Sequence, residues 1–161
     1  MPSFMAANGV SPTTAAQVPV TTGTVIKTLL QIATPATTGL TIIAWGLSFD
    51  GSAAALPIRC ELLQTDVAAT VTSVTPTKWG NPNDQVSLCV GGAAATGHTA
   101  TVEGTITATS VFDVQFVAPT NQFVYEFSLG REPVVPISKF LRIRVTAGTA
   151  VNAYAWIRWA E

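Results

Sequence analysis

The residues of this chain that could do chemistry are few. His98 is the only histidine, so a catalytic triad or a histidine-based metal site would have to be built on it. It lies in Thr96-Gly97-His98-Thr99, where a loop enters a Thr-rich segment, and no G-x-S-x-G elbow supplies a nucleophile. It reads as a loop histidine with no special role. Cys60 and Cys89 show no C-x-x-C spacing. Both sit in apolar, strand-like segments, where a free thiol acts as a small buried hydrophobe. With no signal peptide, two reduced core thiols are expected, although strands can bring distant cysteines within bonding range. The nine carboxylates are scattered, with no D-x-D pair, EF-hand loop or Gly-rich phosphate loop. No catalytic, cofactor-binding or metal-binding residue is therefore assigned, and the chain is not expected to be an enzyme.

Two groups could still hold a partner. Trp79-Gly80-Asn81-Pro82-Asn83-Asp84 combines an aromatic with several oxygen ligands. Such a loop could stack a sugar or hold calcium. The plainer reading is an Asn-Pro turn over a buried Trp79. Trp79, Asn81, Asn83 and Asp84 are the candidate loop contacts. Lys139, Arg142, Arg144 and Arg158 lie near the C-terminus, Arg142 and Arg144 on one face, and could form a small basic patch toward an acidic partner. Pairing with Glu126 or Glu161, or plain solvation, is the simpler account.

The elements that must position these residues are strands. Leu141, Ile143 and Val145 alternate with Arg142, Arg144 and Thr146. Ile58, Cys60 and Leu62 alternate likewise, as do Val151 to Trp159 and, most cleanly, Thr99 to Thr109. Period two is the mark of a half-buried strand. Leu40–Phe49, Val111–Ala118 and the run Phe123–Leu129 are apolar on both faces, which calls for cover on both sides. Turn residues separate these runs, and no window holds helical spacing for three turns. The expected fold is all-β: an antiparallel sandwich or jelly-roll of about ten short strands. Its expected core includes Ile43, Trp45, Leu47, Val102, Ile106, Leu141, Ile143 and Val145.

The 161 residues suit one domain. Residues 23–161 are read as the sandwich and residues 1–22 as an extended N-terminal arm. Pro2, Pro12 and Pro19 interrupt the arm and discourage pairing in the domain's own sheet. Phe4, Met5, Val18 and Val20 are its candidate anchors on a neighbouring subunit.

Charge narrows the function. Only 11% of residues are charged and the net charge is −1, against about 25% charged in an ordinary domain. That balance excludes a nucleic-acid binder, which needs a basic face. Mean hydropathy is +0.41, which excludes disorder, and no run reaches the roughly 20 apolar residues of a membrane helix. Thr and Ala, about two dozen of each, replace charge. Such a surface has little repulsion to keep copies apart, so the composition favours assembly over catalysis.

Several phrases carry a resemblance. They are Lys27-Thr28-Leu29-Leu30-Gln31-Ile32-Ala33-Thr34-Pro35-Ala36, Trp45-Gly46-Leu47-Ser48-Phe49-Asp50-Gly51-Ser52, Glu61-Leu62-Leu63-Gln64-Thr65-Asp66-Val67 and Leu129-Gly130-Arg131-Glu132-Pro133. Between Lys27 and Glu161 the chain resembles a family of small structural proteins of tailed phages infecting actinobacteria. The resemblance implies a capsid decoration or minor capsid protein on the outside of the shell, made in the host cytoplasm without a signal peptide. It implies the phage major capsid protein as partner and supplies no catalytic residues. Capsid three-fold positions make a homotrimer the first expectation. The rival expectations are a sugar-binding fibre head using the Trp79 loop and a tail-tube or baseplate component.

Overall fold

Leu141, Ile143 and Val145 lie fully buried on one face of a strand while Arg142 and Arg144 point the opposite way. The same alternation, repeated along the chain, builds the whole molecule. The computed structural model describes all 161 residues. It contains thirteen strands and no helix. They are β1 Ser3–Ala7, β2 Val20–Thr21, β3 Lys27–Ala33, β4 Leu40–Phe49, β5 Ile58–Thr65, β6 Thr70–Ser73 and β7 Thr77–Lys78. Then come β8 Gly97–Val102, β9 Ser110–Val117, β10 Gln122–Glu126, β11 Val134–Val135, β12 Phe140–Thr146 and β13 Asn152–Ala160. The three two-residue strands β2, β7 and β11 leave ten of four residues or more, close to the sequence expectation.

All strand pairs are antiparallel. One sheet has the order β10-β4-β13-β1-β7, with β11 on β4 and β2 on β13; the other has β6-β8-β3-β12-β5-β9. The two sheets enclose one cluster of 26 buried apolar residues, including Trp45, Leu47, Leu141, Ile143, Val145, Ile157 and Trp159. The fold is therefore an all-β, two-layer antiparallel sandwich.

Three expectations about the core need correction. In β4, Arg158 of β13 pairs with Ala44 and Trp159 with Ile42, so Ile43 is a bulge residue. A bulge resets the in–out alternation. Ile42 is fully buried as a result, while Ile43 is only half-buried. Val102 and Ile106 are 60% and 52% exposed. The Thr99–Thr109 alternation does not continue as one strand, because β8 ends at Val102. Gly104, with φ of +63°, turns the chain in a conformation few other residues accept.

The N-terminal arm also needs correction. Ser3–Ala7 is not an arm but a strand inside the first sheet, flanked by β13 and β7. Phe4 is fully buried, with its ring 6.1 Å from that of Trp159. Asn8 locks the strand's end by donating to Ala153 O and accepting from Ala155 N, both at 2.9 Å. The prolines do not prevent this, because Pro2 precedes the strand and Pro12 and Pro19 follow it, leaving five free amides between. At the far end, Val20 is half-buried beside Ala153 in β2, and Thr22 is fully buried against Val151. Between β1 and β2, residues 8–19 carry no strand. Of the four expected anchors, Phe4 is committed to the chain's own core, Met5 and Val20 are half-buried in its sheet, and only Val18 is well exposed.

The expected result of Phe4→Ala is a loss of about 3–5 kcal/mol of stability, as for other buried aromatics. Urea unfolding measures it. An unchanged midpoint would mean that β1 contributes nothing to the fold.

Candidate functional site

The outer face of the second sheet holds a buried layer of charge. Arg144 sits opposite Glu61 across the β12–β5 pair, and Arg144 Nε donates to Glu61 Oε2 at 2.9 Å. Arg59 reaches the other oxygen of the same carboxylate at 2.7 Å. Arg142 is fully buried. Its guanidinium donates to the carbonyls of Val67 and Glu103, and the Glu103 carboxylate lies 3.8 Å away. That carboxylate also accepts from Thr28 N and Thr28 Oγ1, both at 2.6 Å. Burial lowers the Arg142 pKa, Glu103 opposes that shift, and neighbouring Arg144 adds to it. These arginines pair with Glu61 and Glu103, not with Glu126 or Glu161, and form no exposed basic patch. They pin the segments around Val67 and from Glu103 to Ile106 onto the sheet, because a buried guanidinium needs acceptors.

Glu161 has a different task. Its carboxylate accepts from Ser87 Oγ, from Leu88 N at 2.8 Å and from Trp159 Nε1 at 2.9 Å. Burial pushes its pKa up, yet the donors of Ser87, Trp159, Leu88 and Cys89 outweigh that and hold it below the ordinary value.

The residues with nucleophilic or acid–base potential stay apart. His98 is half-buried, hydrogen-bonds Thr99 Oγ1 at 2.8 Å, and has its pKa lowered by burial. Cys60 and Cys89 are free and buried. Burial, then nearby Glu61, pushes the Cys60 thiol up to about 12; burial, then Glu161, pushes Cys89 higher still. Neither is a thiolate near neutral pH.

The Trp79 loop takes a definite shape. Asn83 N donates to Asn81 Oδ1 at 3.0 Å, Asp84 N donates to Asn81 O at 3.1 Å, and Asn81 Nδ2 donates to Asp84 Oδ1 at 3.3 Å. The loop's oxygens are thus largely engaged in its own turn, and no group of three or more His, Cys, Asp or Glu converges anywhere in the chain. Trp79 is not buried beneath the turn. It is 44% exposed, with the Arg158 guanidinium 4.8 Å from its ring centre. On the other side Arg158 lies 4.6 Å from the ring centre of Trp156. Ile157 and Trp159 are fully buried, so Trp156 and Arg158 face outward. Register completes the site. Arg158 pairs with Met5 and Met5 with Thr77, two residues before Trp79. Sequence reasoning named Trp79 as a loop contact and Arg158 as part of a basic patch, but not their meeting, nor Trp156 as a contact. Alternation in β13 places Arg158 and Trp156 on one face, but their meeting with Trp79 needs β1 inserted between β13 and β7.

The largest cavity, about 620 Å³, lies between the Val10–Thr14 loop and the segment Ser73–Lys78. Three of its six hydroxyl residues are committed to the chain itself. Ser11 Oγ donates to Thr75 O at 2.6 Å, Thr14 Oγ1 to Ser11 O at 2.8 Å, and Thr77 Oγ1 to Met5 O at 3.2 Å. None of the three cavities is lined by Trp79, Trp156 or Arg158, although Lys78 and Pro82 beside Trp79 line the largest.

The fold and these sites define a class, the all-β sandwich with a buried ionic layer and an exposed aromatic–arginine face. Comparison with family models, curated proteins and solved structures finds no match to this chain.

Two outcomes are expected. Cys60 and Cys89 should resist a thiol reagent in the native protein and react on unfolding; rapid native labelling would contradict their burial. Because the folded Glu161 pKa is depressed, its contribution is present above the unfolded value and is lost as pH falls through the folded one. Thermal melts from neutral pH into the acid range should therefore fall less steeply for Glu161→Gln. Parallel curves would show that Glu161 does not drive the acid loss.

Proposed function

We propose that this chain is a non-catalytic structural protein of a phage virion that binds and cements the outside of the capsid as a homo-oligomer, with a trimer as its expected form. One observation carries the reading. Trp45 of β4 links a free edge strand of each sheet, β9 and β10, since Phe123 of β10 packs on its ring and its Nε1 donates to Asp113 of β9 at 3.2 Å. Along and beside these edges Val111, Phe116, Val124 and Leu129 are 57%, 71%, 50% and 95% exposed.

Monomeric β-proteins protect such edges with charge, proline or cover. β9 carries one charge, Asp113, and it is tied to Trp45 and Gln115. An uncovered apolar edge suits a protein whose working state is an assembly. Two of the three segments read as apolar on both faces, Val111–Ala118 and Phe123–Leu129, lie along and beside these edges, whereas Leu40–Phe49 is the interior strand β4. The low overall charge and the phage-like phrases between Lys27 and Glu161 point the same way. The mechanism is cementing, in which several modest interfaces act together to resist outward pressure.

Of the rival readings, a sugar-binding fibre head draws support from exposed Trp79. Against it stands the placing of Trp79 outside every cavity, because small-ligand sites are concave.

Two measurements test the proposal. Labelling the protein on virions should give an array over the capsid exterior, with three-fold positions occupied; label on the tail or fibre tips would overturn it. Sedimentation should show a trimer for the native chain and a folded monomer for Phe116→Asp. A monomer both in solution and on the virion would refute the oligomer.

A further inference from the structure

Arg158 holds an unusual position. Its guanidinium lies between Trp79 and Trp156, 4.8 and 4.6 Å from the two ring centres. It takes part in none of the four ion pairs. Its Nε–H, like that of Arg142, is buried and has no acceptor. The two buried arginines nevertheless have anions, Arg144 bonded to Glu61 and Arg142 held by two carbonyls beside the Glu103 carboxylate, whereas half-buried Arg158 has none. The nearest carboxylate in its own row of the sheet is Glu126, two strands away through Ala44, a separation of about 10 Å. Asp84 is hydrogen-bonded within its own turn. Arg158 is therefore a positioned cation that lacks an anion.

Its surroundings define the kind of partner. The same face carries Met5, Tyr154 and exposed Val124. Trp, Tyr, Met and Arg on one face is the composition of a protein interface centre. The two tryptophans flank the guanidinium, so little side-chain freedom is lost when a carboxylate is bound. A face without a cavity suits a protein surface better than a saccharide.

We propose that the Trp79–Arg158–Trp156 stack is a docking anchor that receives an Asp or Glu carboxylate from an acidic patch on a partner protein. Resting on the reading above, that partner is the capsid shell, and the outer face of the first sheet is the side turned toward it. The apolar β9–β10 edge remains for contacts between copies. The carboxylate bonds to the guanidinium, and the indole rings exclude water from the pair, which strengthens it.

The test uses the full chain labelled with nitrogen-15 and a hexaglutamate peptide as probe. Titration should produce saturable shifts of the Arg158 Nε–H signal and of the Trp79 and Trp156 indole signals. Arg158→Gln should weaken the peptide at least about tenfold while its melting temperature shows that it is folded. Arg158→Lys should restore binding only in part, since it keeps the charge and loses the planar fork. A galacturonate trisaccharide should bind more weakly than the peptide. No shift at Arg158, equal shifts at all surface cations, or preference for the saccharide would overturn the anchor. So would loss of self-association in Arg158→Gln, which would assign the face to contacts between copies. Co-sedimentation with shells stripped of this protein separates the two readings. Equal binding by native protein and Arg158→Gln defeats the anchor alone; no binding by the native protein, with the peptide still bound, defeats the capsid reading alone.

Discussion

Two guanidinium groups sit where a sandwich ordinarily meets water. Arg142 and Arg144 lie on the outer face of the second sheet, yet both are buried. A buried cation without acceptors is costly by several kcal/mol. The structure meets that constraint with Glu61, Glu103 and the carbonyls of Val67, Glu103 and Ile106. Glu61 belongs to the neighbouring strand β5, while Val67, Glu103 and Ile106 come from segments outside the strands. Loops that would otherwise be mobile are thereby ordered against the sheet, and Glu103, beyond the end of β8, ties that ordering back to Thr28 of β3.

This use of charge bears on the surface. A chain with 11% charged residues spends part of that small number inside its own outer layer. Solvent-facing strands are left with Thr, Ser, Ala and exposed Val, which provide little repulsion between molecules. Two surfaces follow, with different characters. The β9–β10 edge is apolar and has free backbone groups, which suits pairing between copies. The Trp79–Arg158–Trp156 face is aromatic and cationic, which suits a partner of opposite charge. A protein holding both can join like subunits on one side and a foreign surface on another.

The strands were legible in the sequence wherever one face met the core and the other met water or polar cover. Leu141, Ile143 and Val145 read correctly because their period-two pattern is uninterrupted. Ile43 misled because one extra residue in β4 shifts the pattern, and a bulge shows only when the partner strand is present. Val102 and Ile106 misled because a Thr-rich alternation continues through Gly104, where the chain leaves the sheet. Phe4 misled because flanking prolines suggested a loose arm, although the five residues between Pro2 and Asn8 are free to pair. Of the candidate site, Trp79 was legible as an aromatic beside a turn; its partners were not, because Arg158 lies 79 positions away.

What the sequence determined by itself is local: all-β structure, about ten substantial strands and two cysteines set in apolar segments. These follow from side-chain period, residue type and spacing, which neighbouring residues carry among themselves. What only the tertiary structure decided is pairing: β1 between β13 and β7, Arg144 opposite Glu61, and Arg158 between two tryptophans. Antiparallel sheets join residues far apart in sequence, and the choice of partner rests on which faces fit and which buried charges find acceptors. No local window contains that information.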